Sequence, residues 1–130
     1  MSGSVSFDRA ADYYDQTRSL PDDLMQRLVP MLVAELPRDG RCLEIGVGTG
    51  RIALPLIESG INVVGVDISA EMLRRYVEKA PANIEVALAD ATRLPFADRT
   101  FTSAIASHVL HLIPGWVTAL DELVRVVAPG

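Results

Sequence analysis

Two carboxylates and three glycines carry the most telling spacing in this sequence. Glu44 stands two residues before Gly46 in the run Leu43-Glu44-Ile45-Gly46-Val47-Gly48-Thr49-Gly50, where glycine then recurs at every second position. Lacking a Cβ, such a loop can take positive φ and lets a ligand come close to main-chain amides. Seventeen residues after Gly50, the apolar run Ile61-Asn62-Val63-Val64-Gly65-Val66 ends on Asp67. In a right-handed strand-helix-strand unit the two strand ends lie side by side, which sets Asp67 opposite the glycine loop and within reach of a ribose. A carboxylate accepting from sugar hydroxyls gains about 1.5–3 kcal/mol from each charge-assisted bond. The pattern therefore points to a nucleoside-bearing ligand.

The loop spacing separates two classes of nucleoside. A dinucleotide rests its pyrophosphate on a helix N-terminus through Gly-x-Gly-x-x-Gly. Here the order is Gly46-x-Gly48-x-Gly50, and Arg51 follows directly. Glu44 would also sit badly beside a pyrophosphate, whereas it suits a ligand carrying an ammonium group. S-adenosylmethionine has that ammonium, a sulfonium and no phosphate.

These residues need a frame. Helical periodicity is expected over 7–18, with Phe7, Ala11 and Tyr14 on one face, and over 21–35, with Leu24, Leu28, Met31 and Leu32. Pro30 falls inside the second pattern and is expected to kink or split it. The Pro37-Arg38-Asp39-Gly40 turn then opens an alternation: strand 41–46, helix 50–58 closed by Gly60, strand 62–67, helix 70–79 capped by Ser69, strands 83–88 and 102–107, and helix 115–127. This order predicts an α/β fold, a Rossmann-like, doubly wound, mostly parallel sheet with helices on both faces. Such sheets normally continue, so the fold is expected to be truncated after the fourth strand and its following helix. An N-terminal helical lid over 1–36 and a Rossmann-like cofactor-binding core over 37–130 are expected to make one domain.

Composition narrows the partners. With 130 residues, 49% of them hydrophobic, the chain suits one core. Its 12 basic and 17 acidic residues give a net charge of −5, which disfavours nucleic acid as a partner. The apolar runs are too short and too broken to cross a membrane, and the first residues lack the features of a secretory signal. A single cysteine, Cys42, permits no internal disulfide, and a reducing cytoplasm is the expected location.

Over almost its whole length the sequence resembles the class I S-adenosylmethionine-dependent methyltransferases, especially the small-molecule methyltransferases with the Glu-x-Gly-x-Gly-x-Gly loop of residues 44–50. The resemblance continues in Val64-Gly65-Val66-Asp67-Ile68-Ser69, where the family's ribose-binding acid falls on Asp67. It extends to Ala89-Asp90-Ala91-Thr92-Arg93-Leu94-Pro95-Phe96, which implies that Asp90 accepts from the adenine amino group and that the Ala91 amide donates to the ring. Residues 101–108 are similar to the family's fourth strand, whose end at Ser107 lines the methionine moiety. Phe7 to Arg18 is similar to its lid helix, which implies that Tyr14 packs over the cofactor. The implied cofactor is S-adenosyl-L-methionine, gripped by Tyr14, Arg18, Glu44, Gly46, Gly48, Gly50, Asp67, Ile68, Asp90, Ala91 and Ser107, with a small-molecule methyl acceptor.

Each residue also has a plainer reading. Asp67 can cap the next helix, although Ser69 is better placed; Asp90 can close the turn Asp90-Ala91-Thr92. Tyr13 and Tyr14 point to different faces, so one serves the site and the other packs. His108, directly after the fourth strand, is the candidate catalytic base if the acceptor must lose a proton, because imidazole titrates near neutrality. It can equally be a packing residue. His108 and His111 lack a third ligand, so no metal is expected. His111 and Trp116 are expected to pack in the core or at its rim. Arg18 either pairs with the cofactor carboxylate or is solvated, and Arg74, Arg75 and Lys79 form a wet helix face.

Methyl transfer from a sulfonium needs alignment and dryness more than acid-base help. An exposed fourth-strand edge predicts association as a homodimer. Competing readings are a non-catalytic S-adenosylmethionine-binding module, an NAD-dependent oxidoreductase, and an interaction domain with a vestigial loop.

Overall fold

The computed structural model describes residues 22–106 and 113–128. Its centre is two short apolar strands, β1 (Cys42–Ile45) and β2 (Val63–Asp67), every residue of which is buried. Unbroken burial of this kind requires cover on both faces, as a parallel sheet with helical crossovers provides. Flanking strands β3 (Glu85–Leu88) and β4 (Ser103–Ala106) complete a four-stranded parallel sheet in the order β3-β2-β1-β4. The expected α/β architecture is thus observed.

Side-chain alternation along β1 sends Leu43 and Ile45 to one face and Cys42 to the other. On the first face, Leu43, Ile45, Val64 and Val66 pack with Phe101, Ala119 and Val126, the last two from helix α4 (Trp116–Val126). On the second, Cys42 and Val63 meet Ala53 and Leu56 of α2 (Ala53–Glu58), Leu73 and Tyr76 of α3 (Ala70–Lys79), and Leu28, Val29 and Leu32 of α1 (Asp22–Glu35).

Three local expectations need correction. Helix α1 runs unbroken through Pro30. That residue and Gln26 are exposed, so the carbonyl deprived of its helical donor meets water. Helix α2 begins at Ala53, not at residue 50, because Gly50 has φ +87° and only the residues beyond it can be helical. Of the two placements expected for Trp116 the core one does not hold: the residue is half exposed at the start of α4, alongside exposed Val117, Leu120 and Val124. Ser69, by contrast, caps α3 as expected, its Oγ accepting from the Met72 amide at 3.1 Å.

Register fixes what stands at the C-terminal rim of the sheet. Ile45 lies beside Val66 and Ala106, and Asp67 beside Leu88. The segments leaving β1, β2 and β3 therefore emerge next to one another, where open parallel sheets bind ligands. Strand β4 is an edge; among the described residues its outer side carries only a bridge between Phe101 and Val127 just before the strand.

Candidate functional site

The loop after β1 is built from residues with positive φ: Gly46 at +66°, Gly48 at +59° and Gly50 at +87°. At Gly50 a side chain is doubly excluded, since a Cβ would lie 2.6 Å from Tyr76 Cε1 and nearer still to Cδ1. The Val47 amide donates to the Val66 carbonyl at 3.0 Å, which ties the loop to the end of β2. Val47 in turn fills the space above Gly65, where a Cβ would meet its side chain at 2.9–3.0 Å.

Asp67 secures the same loop from the other side. Its Oδ2 accepts from the Gly48 amide at 2.8 Å and its Oδ1 from the Ser69 amide at 2.9 Å, with the residue 7% exposed. Sequence reasoning placed this acid opposite the loop but missed that it fastens it. A carboxylate has about four lone-pair sites, so holding two amides and accepting from a ribose are compatible.

Glu44 is 3% exposed, and its Oε1 has no hydrogen-bond partner. Burial, reinforced by the negative charge of Asp67, holds its carboxyl well above the usual glutamate range. Its strand neighbours are Gly65 on β2 and Ile105 on β4, neither of which has a polar side chain to offer. An unsatisfied buried polar atom costs about 1–3 kcal/mol, a cost that a ligand cation at this point would offset. The orphaned acid and the amide-rich loop thus fit a nucleoside with an ammonium group.

At the end of β3 the Ala89 amide donates to the Asp67 carbonyl at 2.9 Å, which carries residues 89–92 along the same rim. Asp90 Oδ1 accepts from the Thr92 amide at 2.9 Å and the Thr92 hydroxyl at 2.7 Å, so the turn-closing role weighed for it is present. Ala91 is buried in the core cluster beside Leu94. Ile68 is half-buried between Asp67 and Ser69.

The structure brings Glu44, Gly46, Gly48, Gly50, Asp67, Ile68, Asp90 and Ala91 to one rim. Tyr14, Arg18, Ser107, His108, Tyr13 and His111 lie outside the described residues. Among the described residues no group of three acidic, histidine or cysteine side chains is set to hold a metal ion, and no helix is long and apolar enough to cross a membrane. The residue that sequence reasoning missed is Tyr76. Its spacing with Met72 and Leu73 signals burial, but only the tertiary fold shows that its ring lies under Gly50.

Known proteins share this geometry. A family described as "Methyltransferase domain" matches residues 43–130. The demethylmenaquinone methyltransferase of Streptomyces avermitilis is 36% identical over 128 residues, covering 95% of this chain and 54% of that protein. A phosphatidylethanolamine N-methyltransferase of Cereibacter sphaeroides is 38% identical over 99 residues, 72% of this chain and 48% of that one. Among solved structures, a methyltransferase of Thermotoga maritima described as S-adenosylmethionine-dependent and a possible histamine N-methyltransferase superposes with a TM-score of 0.71 at 29% identity, over 95% of this chain and 56% of that one. The chain spans about half the length of these relatives. Sequence, fold and rim geometry agree: the chain belongs to the S-adenosylmethionine-dependent methyltransferases, and S-adenosyl-L-methionine is the cofactor that membership implies.

Proposed function

We propose that the protein binds S-adenosylmethionine along the rim of Glu44, Asp67 and Asp90 and transfers its methyl group to a small-molecule acceptor. The observation that carries this reading is the buried, partnerless Glu44 Oε1 beside a glycine loop that Asp67 fastens. Glu44 receives the ammonium, Asp67 the ribose hydroxyls, and Asp90 with the Ala91 amide the adenine edge. Ile68 packs along the nucleoside, and Gly46, Gly48 and Gly50 give the ligand access to the main chain.

Bound there, the sulfonium supplies a methyl group already activated for in-line displacement. What remains for the chain is alignment and the exclusion of water. The segment Phe7 to Arg18 acts as a lid over the cofactor: Tyr14 covers it, Arg18 pairs with its carboxylate, and Ser107 lines its methionine end. His108, directly after the fourth strand, takes the proton of an acceptor that must lose one.

A small acceptor is supported by the net charge of −5 and by relatives named for demethylmenaquinone and phosphatidylethanolamine, neither of them a nucleic acid or a protein. The edge position of β4 supports pairing with a second copy, and the lone cysteine supports a cytoplasmic setting. Calorimetry tests the donor site. Binding of S-adenosylhomocysteine without binding of NAD supports it, and the reverse preference overturns it. Transfer of labelled methyl from S-adenosylmethionine to small acceptors tests the reaction, which binding without transfer to any acceptor would reduce to a binding module.

A further inference from the structure

Tyr76 is the largest fully buried side chain among the described residues, and the donor-site roles assigned above leave it unused. Its ring lies against Gly50, closely enough to exclude a Cβ there. Its hydroxyl is buried with no partner, as is Glu44 Oε1. Alternation along β1 turns Glu44 toward the same face as Cys42, the face on which Tyr76 packs with Cys42, Val47 and Val63. The charge of Glu44 reaches the phenol: burial, with that charge added, pushes Tyr76 up to about 12. A donor lacking an acceptor and an acceptor lacking a donor thus share one compartment beneath the glycine loop.

We infer that Tyr76 is a positioning residue of the methyl-donor site, its hydroxyl donating to the ionised Glu44 carboxylate and holding it toward the ligand's ammonium. The inference rests on the proposed reading that S-adenosylmethionine binds at this rim. Burial and the Asp67 charge push the Glu44 carboxyl up. An arriving ammonium favours the ionised carboxylate, and the phenol keeps its own proton and donates it in a hydrogen bond. The other charges around Glu44 do not replace this donor. Asp67 on β2 is an acid, and Cys42 on the same strand is itself raised by burial. Arg27 and Glu35 of α1, Glu58 of α2 and Arg74, Glu78 and Lys79 of α3 are exposed, Glu71 of α3 pairs with Arg74 and Arg75, and Arg51, half-buried before α2 with an unpartnered Nε of its own, does not contribute to the shift at Glu44.

Calorimetry on the wild-type protein and Tyr76→Phe tests this with two ligands, S-adenosylhomocysteine and 5′-methylthioadenosine, the second of which has no ammonium. The expected result is about ten-fold weaker S-adenosylhomocysteine binding by the variant, with 5′-methylthioadenosine unaffected. The pH below which S-adenosylhomocysteine affinity falls also moves upward, because losing a donor disfavours the ionised acid. Equal weakening of both ligands, or an unmoved pH profile, overturns the inference while leaving the donor site intact. A wild-type protein that binds neither ligand overturns the donor-site reading and the inference with it. If Tyr76→Phe does not fold, the Cζ resonance of Tyr76 in wild-type protein decides, assigned with Tyr13→Phe and Tyr14→Phe. A shift with S-adenosylhomocysteine alone supports the hydroxyl's role, and the same response to both ligands overturns it.

Discussion

The Asp67 carboxylate accepts from the Gly48 amide at 2.8 Å, so the acid that ends β2 fastens the loop that follows β1. Its second oxygen holds the Ser69 amide at the start of α3. One side chain thereby sets the relative position of three elements before any ligand arrives. Asp67→Ala is expected to destabilise the ligand-free protein by about 1–3 kcal/mol for each buried amide left without an acceptor. Asp67→Asn, which keeps one acceptor oxygen, is expected to lose less. Urea unfolding of the ligand-free protein measures both; unchanged stability in Asp67→Ala would show that the residue serves only the ligand.

Glu44 sets a pH dependence of opposite sign for folding and for binding. Its folded carboxyl titrates well above an ordinary glutamate, through burial first and the Asp67 charge second. The group therefore contributes stability fully below the unfolded value of about 4.3, and that contribution is lost as pH rises through the folded value. Affinity for a ligand ammonium rises over the same window, because the contact needs the carboxylate. Glu44→Gln is expected to abolish both slopes and to weaken S-adenosylhomocysteine by about ten-fold or more, as calorimetry and unfolding at several pH values will show.

Gly50→Ala places a Cβ where φ is +87° and the Tyr76 ring already stands. The left-handed conformation alone costs about 1–2 kcal/mol, and displacement of the ring adds to it. Thermal unfolding is expected to show a lower midpoint together with weaker nucleoside binding, since the loop moves with the ring. A variant of unchanged stability would mean that the turn relaxes without cost.

Ser69→Ala removes the side-chain cap that accepts from the Met72 amide. A stability loss of about 1 kcal/mol is expected, with ligand affinity unchanged, because the main-chain amide that Asp67 holds remains. Paired unfolding and calorimetry separate this structural cap from the binding residues.

Much of the rim was legible in the sequence because its signals are local. The apolar runs of β1 and β2, the alternating glycines and the Ser69 cap are each written within a few consecutive residues, and a right-handed crossover then leaves Asp67 little choice of position. Contacts between distant residues were not legible. Nothing near Tyr76 announces that Gly50 lies over its ring, and nothing near Glu122 announces that its carboxylate accepts from the Leu94 amide at 2.8 Å to pin the chain after Asp90. Pro30 misled for a similar reason: whether a helix tolerates an internal proline depends on the exposure of the freed carbonyl, a property of the whole fold.

The most direct test is a crystal structure of the protein grown with S-adenosylhomocysteine. The account predicts the ligand along the C-terminal rim of the sheet, its amino group at Glu44, its ribose at Asp67 and its adenine edge at Asp90 and Ala91. A ligand seated elsewhere, or a rim in which Glu44 still lacks a cationic partner, would contradict it.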